Sequence, residues 1–208
     1  MPGRIIETED DIAEGSAALV AAEPRFGTVL AAGPLPLRRI EDGFGALRDA
    51  VVGQQVSVAA ARAIRARLAE AGLADEATLA TADPEALRAC GLSRQKIRYL
   101  TGIASARLDY PALRRLPDDE VRRTLVALPG IGRWTAEMYL IFALGRADVF
   151  APDDLALAEA ARMLFDLPER PKTRAFDAMA AAWSPWRAVA ARALWAYYAQ
   201  RRNREGVG

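Results

Sequence analysis

Residues 128–155, reading LPGIGRWTAEMYLIFALGRADVFAPDDL, restrict the fold more than any other part of this chain. Pro129 cannot continue a helix, and it disfavours helical backbone at Leu128. Gly130 and Gly132 tolerate positive φ and leave the backbone uncovered by any Cβ. From Arg133 the apolar residues adopt helical spacing, with Trp134, Met138 and Ile141 on one side and Tyr139 and Phe142 beside them. The stretch therefore reads as a bare turn that feeds its amides into a new helix. Amides with no carbonyl one turn back, helped by the helix dipole, make a site for an anion such as phosphate.

Composition narrows the class. Alanine, leucine and arginine dominate and β-branched runs are scarce, so an all-α fold is expected. The 208 residues suit one domain or two small lobes. A single cysteine, Cys90, excludes an internal disulfide and a four-cysteine iron–sulfur cluster. Histidine is absent, which removes imidazole metal sites, Ser-His-Asp triads and any histidine base. No apolar run is long enough to span a bilayer and residues 1–12 are acidic rather than signal-like, so a soluble, cytoplasmic, non-membrane protein is expected. The net charge is only +1, but residues 1–23 carry −5 and the remainder +6, compatible with phosphate contact. Lys96 and Lys172 are the only lysines, an arginine bias that a GC-rich bacterial genome would produce.

Local signals predict helices over 11–22, 25–30, 44–52, 56–71, 93–108 and 118–126, with two short ones opened by Asp75 and Asp83. Past Pro152 a helix runs to Phe165, followed by helices over 173–182 and 185–202 and a frayed tail, 203–208. Cys90-Gly91-Leu92-Ser93-Arg94 echoes Pro129-Gly130-Ile131-Gly132-Arg133. The echo reads either as a degenerate second hairpin or as a glycine turn with a serine cap.

The hairpin, Trp134 and the trailing Phe150-Ala151-Pro152-Asp153-Asp154-Leu155 together resemble the helix-hairpin-helix of the HhH-GPD superfamily of base-excision DNA glycosylases. The 3-methyladenine DNA glycosylase II type is the most similar. The resemblance runs from about residue 47 to residue 195. It implies two helical lobes with a cleft between them, one formed by 40–147 and the other by 1–39 with 148–208. The implied partner is double-stranded DNA containing damaged bases, bound by a monomer in the bacterial cytoplasm at the nucleoid.

The resemblance also assigns roles. Asp154, the second of the acidic pair, is the implied catalytic carboxylate, and Asp153 a cap or support. Base removal breaks an N-glycosidic bond through an oxocarbenium-like sugar, which an ionised acid stabilises while orienting or deprotonating water. With Pro152 at the first helical position, Asp154 would lie in the first turn, where the dipole favours the ionised form. Aspartate is also simply common at helix starts. Strand-nicking relatives carry a Schiff-base lysine near the position of Trp134, so tryptophan there implies a hydrolase without lyase activity.

Trp134, Met138 and Trp195 are the implied base pocket, although either tryptophan equally suits a packing role. Met138 departs from the tyrosine of some relatives. Gln54 and Gln55 match the segment that fills the hole left by the flipped nucleotide, with Gln55 as the wedge. Gly130, Ile131, Gly132, Arg133 and Thr135 are the implied DNA-backbone contacts, and Arg94, Lys96 and Arg98 a further phosphate run. No cofactor is required, but a monovalent cation on the carbonyls of Val126, Leu128 and Ile131 is implied. Two other readings stay open: a glycosylase for deaminated or mismatched bases, and a non-catalytic helix-hairpin-helix DNA-binding module.

Overall fold

The computed structural model describes residues 2–205, with side chains through residue 202. The described residues are helical and contain no strand, only an isolated antiparallel bridge between Ile5 and Arg146. The chain forms two compact units, Ile40–Tyr139 and Pro2–Arg39 with Leu140–Gly208. The second crossing thus lies at Tyr139–Leu140 rather than at residue 147. Its cause is backbone pairing: Ile6 N donates to Gly145 O (2.7 Å) and Ala147 N to Arg4 O (3.0 Å), which ties residues 145–147 to the N-terminal segment.

In the unit Ile40–Tyr139 the helices are α3 (Phe44–Gly53), α4 (Val58–Glu70), α5 (Glu76–Ala80), α6 (Pro84–Ala89), α7 (Arg94–Ser105), α8 (Tyr110–Leu113), α9 (Asp118–Val126) and α10 (Arg133–Met138). Most starts carry a side-chain cap, which supplies an acceptor to an amide that has no intrahelical partner. Ser57 accepts from Ala60 N, Asp75 from Thr78 N, Asp83 from Glu85 N and Ser93 from Lys96 N. Helix α7 is the pivot, packing on α3 and α5 through Ile97, Leu100, Ile103 and Ala104.

Two expected boundaries move here. Helix α4 begins at Val58 rather than Val56, because Gln55 takes a left-handed φ of 56° and Ser57 becomes the cap. The echo segment before α7 is a glycine turn with a serine cap: Gly91 has φ 95° and Ser93 caps α7.

In the other unit the helices are α1 (Glu9–Ala22), α2 (Phe26–Leu30), α11 (Leu155–Leu164), α12 (Thr173–Ala180) and α13 (Arg187–Glu205). Thr8 and Asp11 form a reciprocal capping box at α1, and backbone hydrogen bonds from Glu7 and Thr8 hold the Asp11 carboxyl below its ordinary range. Trp183 centres an aromatic cluster, with Phe26, Phe150, Phe165 and Phe176 arranged around it, mostly edge to face. Helix α13 packs on α11, α1 and α2, and its first turn is anchored by Arg187 Nε on Asp148 (2.7 Å). It continues to Glu205, past the start of the expected frayed tail; residues 206–208 of that tail lie outside the described residues.

Gly15 lets α1 approach α13. A Cβ there would meet the Trp186 ring at 2.6 Å and Val189 Cγ2 at 2.7 Å. Gly15→Val is expected to lower stability by about 1–3 kcal/mol through overpacking. Gly27→Ala, whose Cβ would sit 3.9 Å from Val20, is expected to leave stability unchanged or raise it. Chemical denaturation reads both, and equal midpoints for the two variants would contradict this packing.

Candidate functional site

The hairpin between α9 and α10 begins with two tightening bonds, Ala127 N to Arg123 O (3.2 Å) and Leu128 N to Leu125 O (3.0 Å). Ile131 N then donates to Leu128 O at 3.3 Å, closing the turn over Pro129 and Gly130. Gly130 has φ 77°, and a Cβ added there would run into the Tyr99 ring of α7. Pro129 in turn sits where a Cβ on Gly102 would be, 2.6 Å from its Cγ. Two glycines on opposite partners therefore let the turn lie flat against α7.

Gly132 differs in kind. Its φ of −87° and ψ of 173° suit any residue, and a Cβ would meet nothing within 4 Å. What glycine supplies at this N-cap is an uncovered approach to the first turn of α10, with no side-chain cap in the way. Among the expected backbone contacts, Gly132 and Arg133 are exposed, while the Ile131 and Thr135 side chains are buried. Ile131 therefore anchors the turn, its amide taken by Leu128. Arg133 directs Nε to Glu137 at 2.8 Å, one turn on, and Arg122 Nε lies 3.7 Å from the same carboxylate, which is fully buried. This guanidinium–carboxylate group stiffens α10 against α9.

The expected wedge segment also belongs to this unit. Gln54 Nε2 donates to Gly130 O at 3.0 Å, joining the α3–α4 turn to the hairpin. Gln55 is exposed at its left-handed φ, with Val56 (39% exposed) and Val58 (85%) next to it. Exposed apolar side chains at a turn tip suit insertion between bases. Lys96, expected on a phosphate run with Arg94 and Arg98, instead donates Nζ to Val52 O at 2.8 Å, and burial lowers its pKa. It closes the C-terminal end of α3, leaving Arg94 and Arg98 on the surface. Trp134 is 45% exposed, which removes the core-packing alternative, and Met138 is half-buried.

In the other unit, Asp154 is 9% exposed and is the N-cap of α11. Its Oδ1 accepts from Ala156 N (2.9 Å) and Leu157 N (3.0 Å). The expectation of a helix begun by Pro152, with Asp154 in its first turn, is corrected: residues 152–153 form a turn and the helix begins at Leu155. Asp153 is not the cap; its carboxylate accepts from Thr173 Oγ1 at 2.8 Å. Two amides on one oxygen fix the orientation of the Asp154 carboxyl group. Trp195 is half-buried and packs on Phe142, ring centroids 5.5 Å apart. Sequence reasoning missed Tyr99, which has no spacing relation to Gly130, and Glu137, which Arg133 signals four residues earlier.

Residues 49–187 match the HhH-GPD superfamily base excision DNA repair protein family. DNA-3-methyladenine glycosylase 2 of Escherichia coli is 33% identical over 168 residues, 74% of this chain and 57% of that protein. The chain spans about half the length of the curated relatives it matches. Among solved structures, the DNA-3-methyladenine glycosidase of Bacillus halodurans superposes with a TM-score of 0.81 at 31% identity, covering 91% of each chain. The 3-methyladenine DNA glycosylase of Schizosaccharomyces pombe in complex with abasic DNA gives 0.73 at 31%, covering 88% of this chain and 95% of that one. The hairpin that Tyr99 and Pro129 press flat and the Asp154 cap thus lie inside a matched family region, and the chain belongs to the HhH-GPD superfamily of base excision DNA repair proteins.

Proposed function

We propose that this chain is a monofunctional DNA glycosylase that hydrolyses the N-glycosidic bond of alkylated bases, of the 3-methyladenine type, in duplex DNA. The observation that carries the reading is Asp154, an acid oriented by two backbone amides where a serine or asparagine would cap the helix equally well. Capping alone does not call for a carboxylate. The names of the relatives, which describe 3-methyladenine glycosylases, support the substrate class.

The chemistry follows from the residues. The glycine turn and the first turn of α10 offer backbone amides to phosphate oxygens, and the Gln54–Gln55 turn enters the stack as the damaged nucleotide leaves it. Trp134, exposed on α10, offers an aromatic face to an extruded base. As the C1′–N bond lengthens, positive charge grows on the deoxyribose, and the Asp154 carboxylate stabilises it while accepting a proton from the attacking water. The products are a free base and an abasic site. With tryptophan at position 134 there is no amine at that point to form a Schiff base, so the strand stays intact.

A monovalent cation on the carbonyls of Val126, Leu128 and Ile131 fits this turn in donor chemistry. The Leu128 oxygen gives one lone pair to Ile131 N and keeps a second. A bound ion would supply positive charge beneath the phosphate. No helix among the described residues is long and apolar enough to cross a membrane. A monomer acting on nucleoid DNA in a bacterial cytoplasm is the setting we assign.

Asp154→Asn keeps the cap, because the asparagine oxygen accepts the same two amides. It is expected to retain duplex affinity while single-turnover base release falls about 10²–10⁴-fold. Wild-type turnover in this variant would remove the catalytic role. Strand breaks are expected only after alkali, and borohydride should trap no protein–DNA adduct; a trapped adduct would overturn the monofunctional assignment. Gly132→Ala fits the backbone without contact, yet its methyl group covers the amide edge. Duplex affinity should fall about tenfold, the scale of one charge-assisted hydrogen bond, with stability lowered by no more than about 1 kcal/mol for the weaker N-cap. Undiminished binding would show that phosphates do not reach this turn.

A further inference from the structure

The turn that carries Gln55 is tied down at two points. Lys96 Nζ donates to Val52 O at 2.8 Å, and Gln54 Nε2 donates to Gly130 O at 3.0 Å. Val52 is fully buried, and its carbonyl lies in the last turn of α3, where a helix supplies no partner of its own. An ammonium there satisfies the carbonyl and answers the negative end of the helix dipole. Partial burial lowers the pKa of Lys96, as for an amine drawn away from solvent.

The two ties complete a circuit of contacts within one unit of the fold. Tyr99 stands three residues after Lys96 on α7, and its side chain fills the place a Cβ on Gly130 would take. Gln95 Nε2 donates to the Tyr99 hydroxyl and fixes that side chain in turn. The circuit runs from α7 through Lys96 to the end of α3, through Gln54 to the hairpin, and through Tyr99 back to α7. Gln55 follows directly, at a left-handed φ of 56° that is uncommon outside glycine. Released at either tie, the turn is free to relax to ordinary backbone and swing Gln55 aside.

We propose that Lys96 is a positioning residue: with Gln54 it fixes the Gln55 turn to the hairpin, so that wedge and phosphate grip meet the duplex as one rigid piece. This rests on the glycosylase reading above and on Gln55 as the wedge. Extruding a nucleotide loses stacking that the wedge replaces as the base leaves. A loose turn gives up conformational freedom when it enters the stack, whereas a tethered one has already given it up in folding. Lys96 then serves the backbone of the wedge and touches neither phosphate nor base.

The test is a double-mutant cycle read by single-turnover release of 3-methyladenine from methylated duplex DNA. Lys96→Met keeps the apolar stem and removes the donor; release should slow about tenfold, the worth of one hydrogen bond to a charged group. Gln55→Ala should slow release by a similar factor. The double variant should be no slower than the slower single one, because Lys96 acts through the wedge. Losses that multiply, or full activity of Lys96→Met, overturn the positioning role while the glycosylase reading stands. Lys96→Arg keeps charge and donors and should lie closer to wild type; a rate as low as that of Lys96→Met overturns the role given to the donor. Affinity for a duplex with a tetrahydrofuran site, followed against salt, should keep its slope in Lys96→Met. A slope shallower by about 1 makes Lys96 a phosphate contact instead and overturns the inference. Thermal denaturation checks folding, and where Lys96→Met unfolds, Gln54→Leu cuts the other tie and carries the same cycle with the same expected result. Release of no base from any duplex by wild type overturns the glycosylase reading and this inference with it.

Discussion

The structure depends first on how closely a polypeptide turn can lie against a helix. Tyr99 of α7 occupies the space a Cβ on residue 130 would need, and Pro129 occupies the space a Cβ on residue 102 would need. Any side chain at either glycine lifts the turn away from α7. With the turn seated, Ile131 is buried, Gly132 stays bare, and α10 starts in a fixed direction. Glu137, buried between Arg122 and Arg133, then holds α10 in place from its other side. An anion site made of backbone amides works only if the backbone does not move, so this packing is the precondition for phosphate contact.

A second economy appears at α11. Asp154 closes the helix N-terminus and, in the function proposed, is also the acid beneath the sugar. Capping and catalysis ask for compatible things: a fixed carboxyl orientation and two satisfied amides in a partly buried position. The same residue could cap without being an acid, which is why substitution by asparagine separates the roles.

Much of this was legible from residue order. Proline and the two glycines mark the turn, serine and aspartate mark the helix starts, and scarce β-branched runs mark the all-α class. The errors sit where tertiary contacts decide. The left-handed Gln55 delays α4 by two residues, because Ser57 rather than Gln55 takes the cap. Pro152 reads as a first helical residue, but the Asp154 side chain reaches forward to accept from Ala156 N and Leu157 N and sets the start there. Lys96 reads as surface charge, but its Nζ donates to Val52 O. Tyr99 under Gly130 and Arg192 beside Phe142 join residues far apart in sequence, and no periodicity announces such pairs.

The central claim is that Asp154 answers positive charge on the sugar. Its most direct test is the affinity of duplexes carrying a cationic pyrrolidine in place of the damaged deoxyribose, against a neutral tetrahydrofuran at the same position. Wild type should hold the charged analogue tighter by about 10²-fold or more, since it mimics the transition state, and the asparagine variant should lose that preference. Equal affinity of wild type for the two duplexes would contradict the account.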